Sequence, residues 1–183
     1  MSKVKFWILI VCSCCVAVAC VFGCRAVYLQ VMFPINYKQQ IISECATNNL
    51  DPSLVASVIC AESRFRESAV SDKGAVGLMQ VMPSTAIWLA ELYGDYDFVL
   101  DNLMLTEINI KYGCLYLRYL FEKFVEVRAV LASYNAGEGK VLGWLSDARY
   151  SSDGKTLSST PYPSTNYYVE KVLENQKVYS RKF

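Results

Sequence analysis

Hydrophobic positions are spread unevenly along this chain. Phe6 to Cys24, FWILIVCSCCVAVACVFGC, runs for 19 residues without a charge. As a helix rising about 1.5 Å per residue, it nearly spans the roughly 30 Å hydrocarbon layer of a bilayer. Beyond that run the pattern turns periodic. PINYKQQIISECATNNL begins a helix with Ile41, Ile42 and Cys45 on one side. Asp51-Pro52 reads as a helix start, with Asp as N-cap and Pro at the first helical position. The helix SLVASVICAESRF follows, placing Val55, Val58, Ile59 and Glu62 on one face. SDKGAVGLMQVMP holds Gly74, Gly77 and Pro83, so turns and extended chain are predicted there. STAIWLAELYG predicts a short helix ending near Gly94. In TEINIKYGCLYLRYLFEKF, Ile108, Tyr112, Leu115 and Tyr119 recur at helical spacing. EVRAVLASYNAG predicts another helix, with Val127, Val130, Leu131 and Tyr134 inward and Gly137 as its stop. SDARYSSDGKTLSSTPYPS is polar and turn-rich, a mobile loop with room for a short hairpin, and TNYYVEKVLENQKVY is a last helix. A mainly helical architecture with an irregular middle is predicted.

The apolar run changes the expected location of everything after it. Lys3 and Lys5 precede it and Arg25 closes it. A permanent anchor fits its full length, and AVYLQVMF continues apolar beyond it. The two lysines favour a cytoplasmic N-terminus and an extracytoplasmic remainder. The expected division is a stub, transmembrane anchor and juxtamembrane segment over residues 1–33, then one domain over residues 34–183, attached to the cell membrane by a single pass. VFGC at Val21 to Cys24 loosely resembles a lipoprotein cleavage box, with Phe22 a poor fit; a mature N-terminus at Cys24 would replace the anchor reading.

Composition then removes function classes. Without residues 1–25 the chain has 15 basic and 17 acidic side chains and no basic stripe, so no nucleic-acid partner is expected. The 183 residues contain no histidine. That excludes a Ser-His-Asp triad, a Cys-His pair and an HExxH zinc site. Five of the eight cysteines lie in the apolar run; Cys45, Cys60 and Cys114 lack metal spacing and read as buried thiols. No metal or cofactor is expected, and acid–base chemistry falls to carboxylates, tyrosines and lysines.

Glu62 is the carboxylate in the wrong place. It ends an apolar face near a helix C-terminus, where burial and the negative end of the helix dipole both disfavour ionisation. A carboxyl kept protonated near neutral pH is what a general acid requires. Arg64, two residues on, does not face it on a helix, and Arg66 lies past the end of the helix read at Phe65, so neither is a natural intrahelical partner. Periodicity alone leaves a structural and a catalytic role open.

The surrounding residues carry a resemblance. Glu62-Ser63, Ala69-Val70-Ser71, Gly74-Ala75, Gly77-Leu78-Met79-Gln80, Met82-Pro83 and Thr85-Ala86 resemble the signature of the soluble lytic transglycosylases, lysozyme-like enzymes that cut bacterial peptidoglycan. Tyr134-Asn135-Ala136-Gly137 matches a second block and TNYYVEKVL a third, with Tyr168 at its motif tyrosine. The resemblance covers roughly residues 36–175. It departs at Ser164, Thr165 and Asn166, where many relatives carry Glu-Thr-Arg or similar.

That resemblance implies a mainly α fold (α+β, lysozyme-like) with a substrate cleft, monomeric, acting on peptidoglycan glycan strands. It implies cleavage of the β-1,4 bond between N-acetylmuramic acid and N-acetylglucosamine with formation of 1,6-anhydromuramic ends, Glu62 serving as acid and then base. Ser71 would bond near Glu62 or the muramic unit, and Gly77 would let the backbone approach the sugar. Leu78, Met79 and Gln80 would line the cleft, though Leu78 and Met79 also read as core. Tyr134 and Asn135 would flank the N-acetyl group, and Tyr168 would close the site. Tyr116, Tyr119, Trp88 and Trp144 read as packing residues. A hydrolase usually needs a second carboxylate; Glu67 and Asp72 sit in polar sequence, and neither they nor Asp101 is an obvious partner. A muramidase on the same fold and a non-catalytic peptidoglycan-binding component remain the alternatives.

Overall fold

In the computed structural model the described residues are 19–21, 23–24 and 27–183. Most of the expected membrane segment therefore lies outside the described residues. Among those described, no helix is long and apolar enough to cross a membrane. The chain divides into two compact units between Pro34 and Ile35. In the first, residues 27–32 are helical.

The second unit contains seven α-helices. They are α1 (Lys38–Asn48), α2 (Pro52–Glu62), α3 (Pro83–Tyr93), α4 (Thr106–Lys123), α5 (Val127–Ala136), α6 (Glu138–Leu145) and α7 (Pro163–Tyr179), with a 3-10 turn at Leu100–Met104. α2 is the centre. It packs along α7, which in turn holds α5; α4 carries α1, α3 and α5 on its flanks. The start of α2 follows its sequence signal: Asp51 accepts a hydrogen bond from the Ser53 N–H at 2.8 Å, and Pro52 opens the helix. Every residue from Ser53 to Cys60 is buried. The single core face read from the sequence is thus only part of the picture, because a helix surrounded by others buries all its sides.

Two other faces differ from expectation. On α1, Ile41 and Cys45 are buried but Ile42 is on the surface. On α4 the buried face is Asn109, Ile110, Tyr112, Gly113, Cys114, Leu117 and Leu120, while Ile108, Leu115 and Tyr119 are only half-buried. A buried asparagine and glycine carry no hydrophobic signal, so periodicity chose a neighbouring stripe. Gly113 is required there: a Cβ would lie 2.2 Å from the Met79 sulfur.

The middle segment is irregular as predicted. Its β-structure consists of two isolated bridges, Val70 with Val76 and Val76 with Val81. The late loop contains no hairpin among the described residues; Asp153 organises it instead, its carboxylate accepting from the Lys155 and Thr156 N–H groups at 2.8 and 2.7 Å. Cys45, Cys60 and Cys114 are buried, Cys45 beside Cys114 and Cys60 beside Tyr179.

Candidate active site

Glu62 is the last residue of α2, and the chain turns sharply after it. Ser63 closes the helix through its N–H to the Ile59 carbonyl at 3.0 Å. Arg64 and Phe65 then both adopt left-handed conformations, φ 53° and 61°. Such residues cost about 1–2 kcal/mol each. Burial of Phe65 against Tyr179, ring centroids 6.2 Å apart, offsets part of that. The result is a glutamate at the end of a buried helix with its carboxyl half-covered and facing a cleft.

That cleft, about 400 Å³, is lined by residues of four segments around Glu62. Loss of water pushes the Glu62 carboxyl up to about 7 from its ordinary 4.5. Two groups on α7 oppose the rise: the Tyr168 hydroxyl and, more weakly, the Lys171 ammonium. Lys171 donates at 3.0 Å to the Ala61 carbonyl, one of those left without an intrahelical partner at the end of α2. It therefore ties down the helix end and places a positive charge near the acid. The buried Tyr168 hydroxyl meets no partner at full hydrogen-bond geometry, and the carboxyl it acts on is that of Glu62. Burial and the Glu62 charge push the Tyr168 and Tyr134 phenols well up, so both stay neutral donors.

The loop facing Glu62 is held by one side chain from α4. Asn109, wholly buried, accepts from the Met79 N–H at 2.8 Å and donates to the Val76 and Leu103 carbonyls at 2.9 and 3.0 Å. Gly77 passes so close that a Cβ would meet the Asn109 amide nitrogen at 2.3 Å, and its φ is +76°. Gln80, at φ 49°, donates both amide hydrogens inward, to the Ala69 and Gly77 carbonyls at 3.0 and 2.9 Å. Its amide oxygen is what remains to offer the cleft. Ser71 accepts from the Ala75 N–H at 3.0 Å, which leaves its hydroxyl proton to donate.

Of the expected site residues, Glu62, Ser71, Gln80, Tyr134 and Asn135 line the cleft. Tyr134 is fixed by its hydroxyl, which donates to the Met79 carbonyl at 2.8 Å, and Asn135 accepts from the Thr165 hydroxyl at 3.0 Å. Tyr168 reaches Glu62 without lining the cleft. Gly77, Leu78 and Met79 lie beneath it; Leu78 and Met79 are 0% exposed and are core, and Met79 serves the site through its backbone. Tyr116, read as packing, lines the cleft with Lys73 and Thr85. Asn109 and Lys171 carried no sequence signal, because each acts on backbone atoms distant in the chain. Glu67, Asp72 and Asp101 are exposed and none lines the cleft, so among the described residues Glu62 is its one carboxylate.

A helical domain with a cleft opening on one half-buried glutamic acid, among the described residues, is the arrangement expected of a lysozyme-like protein. The more specific assignment comes from relatives. The chain belongs to the Transglycosylase SLT domain family, which matches residues 39–157. It is 30% identical over 155 residues to the soluble lytic murein transglycosylase of Salmonella typhimurium, covering 83% of this chain and 24% of that protein. The membrane-bound lytic murein transglycosylase C of Actinobacillus pleuropneumoniae is 35% identical over 103 residues, 51% of this chain and 28% of that one. Among solved structures, the inactive mutant of the lytic transglycosylase Slt from Pseudomonas aeruginosa superposes with a TM-score of 0.75 at 30% identity, over 84% of this chain and 25% of that chain. This chain spans about a quarter of the length of these relatives.

Proposed function

We propose that residues 34–183 are a peptidoglycan lytic transglycosylase domain. It cleaves the β-1,4 bond between N-acetylmuramic acid and N-acetylglucosamine and leaves a 1,6-anhydromuramic end. The observation that carries this reading is the single cleft carboxyl held near pH 7. The protonated Glu62 donates its proton to the glycosidic oxygen as the bond to muramic C1 breaks. The Glu62 carboxylate so formed accepts the proton of the C6 hydroxyl as that oxygen bonds to C1. One residue then serves both proton transfers and returns to its starting state. Neutral Tyr168 and the Lys171 ammonium stabilise the carboxylate during the interval between them. A hydrolase would need a second group to activate water, and among the described residues no other carboxylate lines this cleft. The Phe6–Cys24 run, on this reading, anchors the domain on the extracytoplasmic side of the membrane, in keeping with its length, its flanking lysines and the domain's likeness to a membrane-bound relative.

Mass spectrometry of fragments released from purified peptidoglycan by the full-length chain in detergent tests the chemistry. The expected products are one water lighter than reducing-end muropeptides. Reducing ends as the main product would make the protein a muramidase instead.

The acid also sets a pH profile. Free enzyme is competent while Glu62 is protonated, so kcat/KM falls as pH rises through about 7. The groups facing the carboxyl are Tyr168 and Lys171 from α7 and Tyr134 from α5. Lys171→Met removes a charge that favours the carboxylate, so the alkaline limb moves upward by roughly half a pH unit. Lys171→Arg leaves it in place. Identical limbs in all three proteins would show that Lys171 only braces the helix end.

A further inference from the structure

Charge is spread unevenly over this domain. Residues 74–110 hold five acidic side chains, Glu91, Asp95, Asp97, Asp101 and Glu107, and no lysine or arginine. Asp95 is compensated: its carboxylate accepts from Lys111 at 2.6 Å and from the Tyr112 hydroxyl at 2.8 Å. The other four are exposed, and among the described residues none of them belongs to an ion pair.

The same stretch leaves large apolar side chains uncovered. Leu92, near the end of α3, is 50% exposed, and Tyr96, just beyond it, is 90% exposed. Val99, Leu100, Met104 and Leu105, in and beside the 3-10 turn, are between 39% and 53% exposed. α3 packs against the turn, so the two groups adjoin. The platform is firm, because Leu103 of the turn is buried against α4 and its carbonyl accepts from Asn109 at 3.0 Å. A contiguous apolar surface with a charged rim marks a place where something else binds. The acids decide what that is. A bilayer with anionic headgroups, or a peptidoglycan strand with its peptide carboxylates, would bring negative charge to negative charge. A second copy docked through the same face would set four acids against four.

We infer that Leu92, Tyr96 and residues 99–105 form a docking surface for another protein, one that presents an amphipathic segment with apolar residues flanked by lysine or arginine. The apolar side chains would bury the partner's apolar face, and Glu91, Asp97, Asp101 and Glu107 would pair with its cations at the rim. Thr85 lines the cleft, and Leu92 lies about 10 Å further along α3. The partner would therefore be held beside the cleft rather than in it. The inference goes beyond the reaction at Glu62 and does not depend on it.

Photo-crosslinking in cells that make the protein tests this, with a benzophenone amino acid replacing the exposed Val99 or Leu105 of the full-length chain and mass spectrometry identifying the linked peptide. Both positions are expected to link to one second protein, through a segment that carries lysine or arginine beside apolar residues. Asp97→Lys combined with Asp101→Lys should lower the yield about tenfold. These carboxylates are exposed and outside any ion pair, so fragment release from purified peptidoglycan and the unfolding midpoint should stay at the parent values. Asp97→Asn with Asp101→Asn, which removes the charges without reversing them, should lower the yield less. A synthetic peptide of the linked segment should bind the full-length chain more weakly as salt rises. Links to a second copy of this chain, to lipid or to glycan fragments would overturn the docking surface. So would a yield no higher than from the exposed Lys155 position, an acidic linked segment, or a yield that charge reversal leaves unchanged. None of these results would alter the reading of Glu62, which fragment release tests separately.

Discussion

Glu62→Gln is expected to abolish muropeptide release, with a loss of at least about three orders of magnitude in kcat, while making the protein more stable above neutral pH. Glutamine keeps the shape and the burial but can neither donate nor accept the proton in flight. General acid–base groups contribute about 10²–10⁴-fold each, and in the proposed mechanism one residue supplies both steps. The stability effect follows from linkage. The carboxyl titrates near 4.5 when unfolded and at about 7 when folded. Below pH 4.5 both states are protonated and burial carries no ionic penalty. Between these values the unfolded chain releases a proton that the folded chain retains, so stability falls as pH rises, by about 3 kcal/mol in all. Above pH 7 the deficit is constant. Glutamine never incurs it. Thermal unfolding at pH 4 and pH 8 should therefore show matching midpoints at the lower pH and a higher midpoint for Glu62→Gln at the upper. A variant that still releases fragments would leave Glu62 without its assigned role, and a lower midpoint at pH 8 would mean the carboxylate is stabilised in the folded protein.

Asn109→Ala should be the most damaging substitution outside the cleft. It leaves the Met79 N–H and the Leu103 carbonyl buried without partners, while the Val76 carbonyl keeps a bond from the Val81 N–H at 3.0 Å. Two orphaned backbone groups cost about 3 kcal/mol together, before any cavity is counted. For a domain of this size the unfolding midpoint should drop by about 10 °C. Activity should fall further than stability explains, because the same side chain sets the register of the loop that carries Ser71 and Gln80. Circular dichroism melting alongside fragment release measures both. A midpoint within about 2 °C of the parent would mean that the loop finds other partners.

These two residues mark how far local sequence carries. Glu62 was legible because a carboxylate ended an apolar helical run and because its flanking blocks resemble a known signature. Helix positions were legible too: Asp51-Pro52 starts α2, and Gly94, at φ +70°, stops α3. Asn109 was not legible. A lone asparagine in the middle of α4 resembles any other polar residue until the Gly77 loop is laid against it. The face of α4 was misplaced for the same reason, since Asn109, Gly113 and Cys114 occupy the deepest positions without adding apolar periodicity. Leu78 and Met79 adjoin Gln80 in the motif, yet only Gln80 reaches the cleft. Left-handed Gln80 reverses the chain at that point, and no periodic pattern reports such a turn.

The chain's own sequence determined the helices, the place of Glu62 at the end of an apolar helix and the family, because caps, apolar spacing and contiguous motifs act within a few residues. Tertiary structure alone decided the acid's environment. Tyr168 and Lys171 come from a helix more than a hundred residues further on, and the loop opposite is held by α4. Desolvation of a carboxyl is a property of everything packed around it, so the proton on Glu62 is set by contacts that no local pattern contains.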